Sequence, residues 1–332
     1  MTPVEYIYYL GYRIDRLLRS SKRRPLSART LSVGNLTIGG TGKTPLVIAL
    51  AEEAVRRGLK TCILSRGYRS KGPESAIVSK GEGPMMNWEE AGDEPYMMAK
   101  RLNHVWIIKD RNRYRGSLIA GEVDLFILDD GFQHWPVERD LDIVTMDATL
   151  PFGNGRLLPL GPLREPLREV RRARIVLFTN STGKNPAFEE QIRAHSPDIS
   201  FFYSRYAARG LVGIDGELTE MEGHRGAKVY AVAGVGSPVR FLKSLKDEGF
   251  NITGETLFRD HHRYSRSDLS RIFRRAERSG SDIIITTEKD LPKIASILTD
   301  EPSIPVYAMR VDMVIEDPVF FDIALGKEDR EV

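Results

Sequence analysis

The chain has 332 residues, 41% hydrophobic and 29% charged, which describes a soluble globular protein long enough for two domains with buried cores. A net charge of +3 is too small to argue for nucleic acid as a partner, and none is expected. The single cysteine, Cys62, excludes a disulfide framework and a cysteine-rich metal site, and its apolar neighbours Ile63 and Leu64 read as a buried strand. No apolar run of membrane-spanning length and no signal peptide with a cleavage site are expected, so the cytosolic side of a membrane is the natural compartment.

In the first thirty residues, Val4, Ile7, Tyr8, Gly11, Ile14, Leu17 and Leu18 follow a helical period, and Arg13, Arg16, Arg19, Lys22, Arg23, Arg24 and Arg29 crowd the following edge and turn. Such a helix can lie in a bilayer interface, apolar face down, with its cations near anionic headgroups. A helix packed on its own domain gives the same stripe, so periodicity leaves both readings open.

Next comes an apolar lead, Thr30-Leu31-Ser32-Val33, followed by Gly34-Asn35-Leu36-Thr37-Ile38-Gly39-Gly40-Thr41-Gly42-Lys43-Thr44-Pro45 and the apolar run 46–50. A strand, a glycine-rich turn and Gly-Lys-Thr opening a helix form the phosphate-binding arrangement. Thr37, Ile38, Gly39, Gly40, Thr41, Gly42, Lys43 and Thr44 would line it, with Lys43 reaching the β- and γ-phosphates and the Thr44 hydroxyl on Mg²⁺. The usual spacing wants glycine at position 37, where this chain has threonine; a flexible glycine-rich turn before a lysine is the plainer alternative.

The helix after this loop is expected to stop near Arg57, with Gly58 as a left-handed cap. Residues 61–64 read as a buried strand leading into Ser65-Arg66-Gly67-Tyr68-Arg69. Gly92-Asp93-Glu94-Pro95 opens a further helix, with Asp93 in the role of N-cap. Residues 104–109 form another strand, and 124–128 lead into Asp129-Asp130-Gly131-Phe132-Gln133-His134, a Walker B pattern whose carboxylates would bind Mg²⁺. After a strand at 141–146, residues 151–168 are too rich in proline and glycine for a helix and read as an ordered, functional loop. Strands at 174–178 and 200–203 complete a mostly parallel, doubly wound α/β sheet.

Residues 209–222 carry a hairpin signal, which sets the expected organisation: a P-loop domain over 1–205, a short β linker over 206–226 and a smaller α/β domain over 227–332. In the last of these, 228–233 is a strand, Gly234-Val235-Gly236-Ser237-Pro238 a tight turn and 241–248 a helix. Asp260-His261-His262-Arg263-Tyr264 follows; neighbouring histidines in an extended segment diverge, so a titrating His261 beside carboxylates is preferred to zinc. Residues 282–286 form a strand ending in Thr287-Glu288-Lys289-Asp290.

Taken in order, the glycine loop, Ser65-Arg66-Gly67-Tyr68, Gly92-Asp93-Glu94-Pro95, Asp129 to His134, Gly155-Arg156-Leu157-Leu158-Pro159 with Gly161-Pro162-Leu163-Arg164-Glu165-Pro166, Asp260-His261-His262-x-Tyr264 and Thr287-Glu288-Lys289-Asp290 resemble the tetraacyldisaccharide 4′-kinases of lipid A biosynthesis. That family carries the same loop variant at position 37. The resemblance implies transfer of the γ-phosphate of ATP, with Mg²⁺, to the 4′-hydroxyl of a tetraacylated disaccharide 1-phosphate. It implies a monomer peripheral on the cytoplasmic face of the inner membrane, held there by the N-terminal helix. Lys43 and the loop amides would hold phosphates and Thr44, Asp129 and Asp130 the metal. Asp93 aligns with the family's proposed base and His261 with the histidine supporting it, so the competent site is expected on closure of the two domains. Arg66, Tyr68, Gln133, His134 and Arg164 are candidates for the transition state or lipid headgroup. A membrane-associated ATPase switch and a P-loop kinase of a soluble small molecule are the alternatives.

Overall fold

The computed structural model describes residues 2–326. The chain forms two compact units, Met1–Arg205 with the segment from Met313 onward, and Tyr206–Asp312.

The first unit opens with α1 (Pro3–Ser20), whose start is a capping box: Glu5 N–H donates to the Thr2 hydroxyl while the Glu5 carboxylate accepts from Thr2 N–H. The chain then alternates through β1 (Arg29–Gly34), α2 (Lys43–Arg56), β2 (Thr61–Ser65), β3 (Ala76–Ser79), α3 (Trp88–Ala91), α4 (Asp93–Arg101), β4 (Val105–Lys109), α5 (Arg113–Ser117), β5 (Leu125–Asp129), β6 (Leu141–Asp147), β7 (Ile175–Thr179), α6 (Pro186–Arg193) and β8 (Ser200–Gly213). Sheet order is β8-β7-β6-β1-β5-β2-β4-β3. Pairings are parallel except that of β3 with β4. Covered on both faces, β2, β5 and β7 are buried throughout, which is why they read as unbroken apolar runs. Gly58 takes φ +77 just past α2, as its capping role requires.

Three departures from the sequence reading have physical causes. Short, antiparallel β3 at the sheet edge carries no period long enough to be read, and it pairs Ile77 with Ile108. Asp93 is the first helical residue of α4 and not its cap; Gly92, at φ +94, caps the helix with no side-chain hydrogen bond. The C-terminal segment returns to the first unit, where α10 (Val319–Leu325) buries Phe320 and Asp322 pairs with Arg57 at 2.9 Å.

The second unit continues β8 and pairs its end with β9 (Leu218–Thr219) as an antiparallel hairpin, so the stretch expected as a linker belongs to this unit. Beyond it lie β10 (Lys228–Ala233), α7 (Pro238–Asp247), β11 (Asn251–Leu257), α8 (Arg266–Arg278), β12 (Ile283–Thr287), α9 (Leu291–Ala295) and β13 (Val306–Ile315). The parallel order is β11-β10-β12-β13. Leu269 and Ile272 of α8 pack with Val232 and Ile284, whereas Phe241 and Leu245 of α7 pack with Ala231 and Ile285. Alternate residues of one strand thus face opposite helices, the pattern of a sheet covered on both sides.

Candidate active site

The glycine loop leaves the carboxyl end of β1 under tight constraint. A Cβ at Gly34 would fall 2.4 Å from Cβ of Phe132, so only glycine lets β1 pass the 129–134 turn. Thr37 forms an isolated extended bridge with Leu163, a conformation that needs no glycine, which accounts for the residue found there. Gly39 and Gly42 take φ of +109 and +82. Ile38, Gly39 and Gly40 are exposed, and a Cβ on either glycine would meet nothing within 4 Å, so the space before the loop is open. Thr41 is pinned behind it: its hydroxyl lies 2.8 Å from that of Thr145, and its carbonyl accepts from Thr179 Oγ1 at 3.2 Å. Helix α2 starts at Lys43 with neither a side-chain cap nor an acidic residue in its first turn. Its leading amides and positive dipole end therefore face the loop uncompensated by side chains, as an anion site requires.

Asp129 ends β5, in register with Val33 of β1, and its Oδ2 accepts from Ser65 Oγ at 2.9 Å. Burial, then the charges of Asp130 and Glu94, push its carboxyl up to about 6. Next to it, Asp130 adopts φ +50, a strained backbone for a side chain other than glycine. Lys43 Nζ stands 3.4 Å from Asp130 Oδ1, and Arg164 donates to both carboxylate oxygens at 3.1 and 3.2 Å. Burial alone would raise Asp130; Lys43 and then Arg164 outweigh it and hold the group at about 2. Buried Arg113, a residue the sequence did not single out, donates to the Asp129 carbonyl at 3.0 Å. Two adjacent carboxylates thus differ sharply: Asp130 is fixed as an anion by Lys43 and Arg164, whereas at Asp129 burial and the charges of Asp130 and Glu94 outweigh the cations nearby.

Asp93 and Glu94 begin α4 beside this turn, since Glu94 acts on Asp129. The Ser65 to Tyr68 loop closes against Gly92, where a Cβ would lie 3.3 Å from the Tyr68 carbonyl oxygen. Arg66 and Tyr68 are exposed there, and Arg69 covers the Tyr68 ring at 5.3 Å. Lys109, buried at the end of β4, donates to Ser70 Oγ and to the Glu90 carbonyl and so ties the two loops together. A lysine closing an otherwise apolar strand was the signal for it. Gln133 donates to the Asn35 carbonyl at 2.8 Å and to Glu165 at 2.6 Å, while its own carbonyl accepts from Arg164 at 3.3 Å. His134 sits beneath the turn with Nε2 enclosed; burial, then Arg113 and Arg139, lower it to about 3, so it offers no cation at neutral pH.

The 151–168 loop is ordered: Phe152, Leu157 and Leu163 are buried in the first unit's core. It runs along the glycine loop, with Ile38 N–H donating to the Pro162 carbonyl at 2.8 Å and Arg164 N–H to that of Leu36 at 2.7 Å. Helix α1 docks on the same loop through its polar side. Tyr8 Oη donates to the Arg164 carbonyl at 2.8 Å, Tyr12 Oη to Glu165 at 2.6 Å and Arg16 to Glu169 at 2.7 Å. Its apolar residues Ile7, Leu17 and Leu18 are consequently 71, 63 and 66% exposed.

His261 belongs to the second unit and also has a left-handed backbone, φ +61. Its Nε2 lies 3.4 Å from Lys289 Nζ and 3.8 Å from Asp260 Oδ2. His262 diverges, stacking on Phe258 and meeting Asp268 at 3.3 Å. Fully buried Asp290 holds the turn after β10 by accepting from Gly234 N–H at 2.8 Å. The Gly234, Asp260 to Tyr264 and Thr287 to Asp290 motifs therefore share one sheet end.

The first unit suits a nucleotide polyphosphate with a divalent cation. Its open loop and uncapped α2 would take phosphate oxygens, and a cation near Asp129 would favour the ionised form that burial and the charges of Asp130 and Glu94 oppose. Among the described residues no group of three or more His, Cys, Asp or Glu forms a metal cage.

A family model described as tetraacyldisaccharide-1-P 4′-kinase matches residues 1–327. The chain belongs to the tetraacyldisaccharide-1-P 4′-kinase family. Tetraacyldisaccharide 4′-kinase of Geobacter sulfurreducens is 40% identical over 313 residues, 92% of this chain and 85% of that one. The 4′-kinase of Anaeromyxobacter dehalogenans strain 2CP-C is 38% identical over 311 residues, 91% of this chain and 81% of its own. A crystal structure titled as the apo form of LpxK from Aquifex aeolicus in complex with ATP superposes at a TM-score of 0.76 with 31% identity, covering 97% of this chain and 96% of that one. The match to the 4′-kinase family runs from α1 through both units, so each site residue named above lies within it.

Proposed function

We propose that the protein is an ATP-dependent lipid kinase that phosphorylates the 4′-hydroxyl of a tetraacylated disaccharide 1-phosphate, a step of lipid A biosynthesis. One observation carries the reading: in a chain of this family, an open glycine loop, Lys43, the Asp129-Asp130 pair and the start of α4 converge at one end of one parallel sheet. Ligands of open α/β sheets bind at the carboxyl ends of strands.

Phosphoryl transfer asks chiefly for alignment and charge neutralisation. Loop amides from Gly39 to Thr44 cradle the phosphates, and Lys43 reaches the β- and γ-phosphates once its pairing with Asp130 yields to them. Thr44, Asp129 and Asp130 would hold Mg²⁺, which would supply positive charge to the phosphates. Arg164 stands where charge builds on the transferred group. Asp93, the first helical residue of α4, takes the proton of the attacking hydroxyl, and His261 supports that step. Arg66 and Tyr68 face the lipid headgroup from the loop beside Gly92.

The exposed apolar face of α1 supports attachment at a membrane surface, on the cytoplasmic side where ATP is found; no described helix is long and apolar enough to cross a membrane. The test is incubation with γ-labelled ATP and the tetraacyldisaccharide 1-phosphate: label should enter the lipid at the 4′ position. Release of label only as free phosphate would replace the kinase with an ATPase.

A further inference from the structure

A partly buried hydrogen-bonded chain joins α1 to the phosphate-binding lysine. From Tyr12 Oη it passes to Glu165 at 2.6 Å, from Glu165 to Gln133 Nε2 at 2.6 Å, from Gln133 Oε1 to Arg164 at 3.3 Å, from Arg164 to Asp130 at 3.1 Å and from Asp130 to Lys43 at 3.4 Å. Glu165, its hub, is fully buried and is also held by Arg172 at 2.5 Å. Arg172 lies over the rings of Phe132 and Trp135, with centroids at 3.8 and 4.4 Å, and the Tyr12 ring meets Trp135 edge-on at 6.2 Å. Glu165 Oε2 accepts from both Tyr12 and Arg172, so a shift of Tyr12 leaves a buried carboxylate oxygen to re-pair within the chain.

We propose that Tyr12 is a positioning residue for phosphoryl transfer, fixing Arg164 and Asp130 through Glu165 and Gln133 so that the seating of α1 sets the geometry of the phosphate site. This rests on the kinase reading above. The hydroxyl is taken up by Glu165 and acts through the chain. Because α1 presents its apolar residues outward and Tyr12 inward, whatever draws α1 away from the loop reaches Lys43 by this route.

The test compares Tyr12→Phe, which keeps the ring on Trp135, with Tyr9→Phe, which removes a hydroxyl that pairs with Arg168 outside the chain. In full-length protein, Tyr12→Phe is expected to lower kcat about tenfold with ATP KM changed less than about twofold, and Tyr9→Phe to leave both within about twofold. Partition onto anionic vesicles should match wild type for both. Tyr12→Phe combined with Gln133→Ala should lose little more than Gln133→Ala alone, since both cut one chain. Turnover of Tyr12→Phe equal to wild type, an equal loss in Tyr9→Phe, or fully multiplicative losses in the double variant would each overturn the proposal. If Tyr12→Phe does not fold, Glu165→Gln, which keeps shape and gives up one acceptor, carries the same comparison. A wild-type protein that makes no lipid product defeats the functional reading alone; slow ATP hydrolysis by the same variants then reads the chain.

Discussion

Lys43, Asp93 and Asp129 carry distinct burdens at the phosphate site, and their substitutions separate them. Lys43→Ala removes the cation nearest the phosphates and is expected to lower kcat by about 10³-fold or more while the fold, built behind the loop, survives. Asp129→Asn should trade activity for stability. Its carboxyl stands at about 6 in the folded chain against an ordinary 3.8, so ionising it costs the ligand-free fold on the order of 3 kcal/mol once pH exceeds that value. The group's contribution is intact below pH 4 and lost as pH rises through about 6. Asparagine escapes that loss, so thermal melts should place Asp129→Asn above wild type by a widening margin from pH 5 to pH 8, with no turnover at either. Sequence showed Lys43 and Asp129 through their motifs; it did not show that Asp130 is the ion held by Lys43 and Arg164, because Arg164 arrives from a distant loop whose path is set by packing of Phe152, Leu157 and Leu163.

Among the elements, α1 was legible as an amphipathic helix but its facing was not. A stripe looks alike whether buried or presented, and the choice is made by Glu165 and Glu169, far along the chain, which capture Tyr12 and Arg16. Replacing Leu17 and Ile7 by aspartate touches only the exposed side. Vesicle sedimentation should show binding to anionic lipid reduced by at least about tenfold, with the melting temperature unchanged within about 1 °C. A drop in melting temperature would mean that these residues pack on the protein. Elsewhere, long parallel strands and the cap at Gly58 followed from local chemistry, while Asp93 was misplaced by one position because Gly92, at φ +94, takes the cap without a side chain.

In the whole molecule, the match to one kinase family covers residues 1–327, whereas the partition of the chain was only partly readable. The C-terminal return to the first unit depends on Phe320, Asp322 and the Ala324 carbonyl finding partners that include Arg57 and Arg29, and such pairing leaves no periodic trace. Asp93 and His261 come from different units, and a role in one proton transfer has a kinetic signature. His261→Ala should slow turnover by about 10²-fold with ATP KM unchanged, and adding it to Asp93→Ala should cost little further. Multiplicative losses would assign the two residues to separate steps.

The most direct test follows labelled phosphate from ATP to the 4′-hydroxyl of the tetraacyldisaccharide 1-phosphate in wild type and in Asp93→Asn. Wild type should give the 4′-phosphorylated lipid, and Asp93→Asn should bind ATP normally yet form product at least about 10³-fold more slowly. Product formation by Asp93→Asn at a rate near wild type, or none by wild type, would contradict the account.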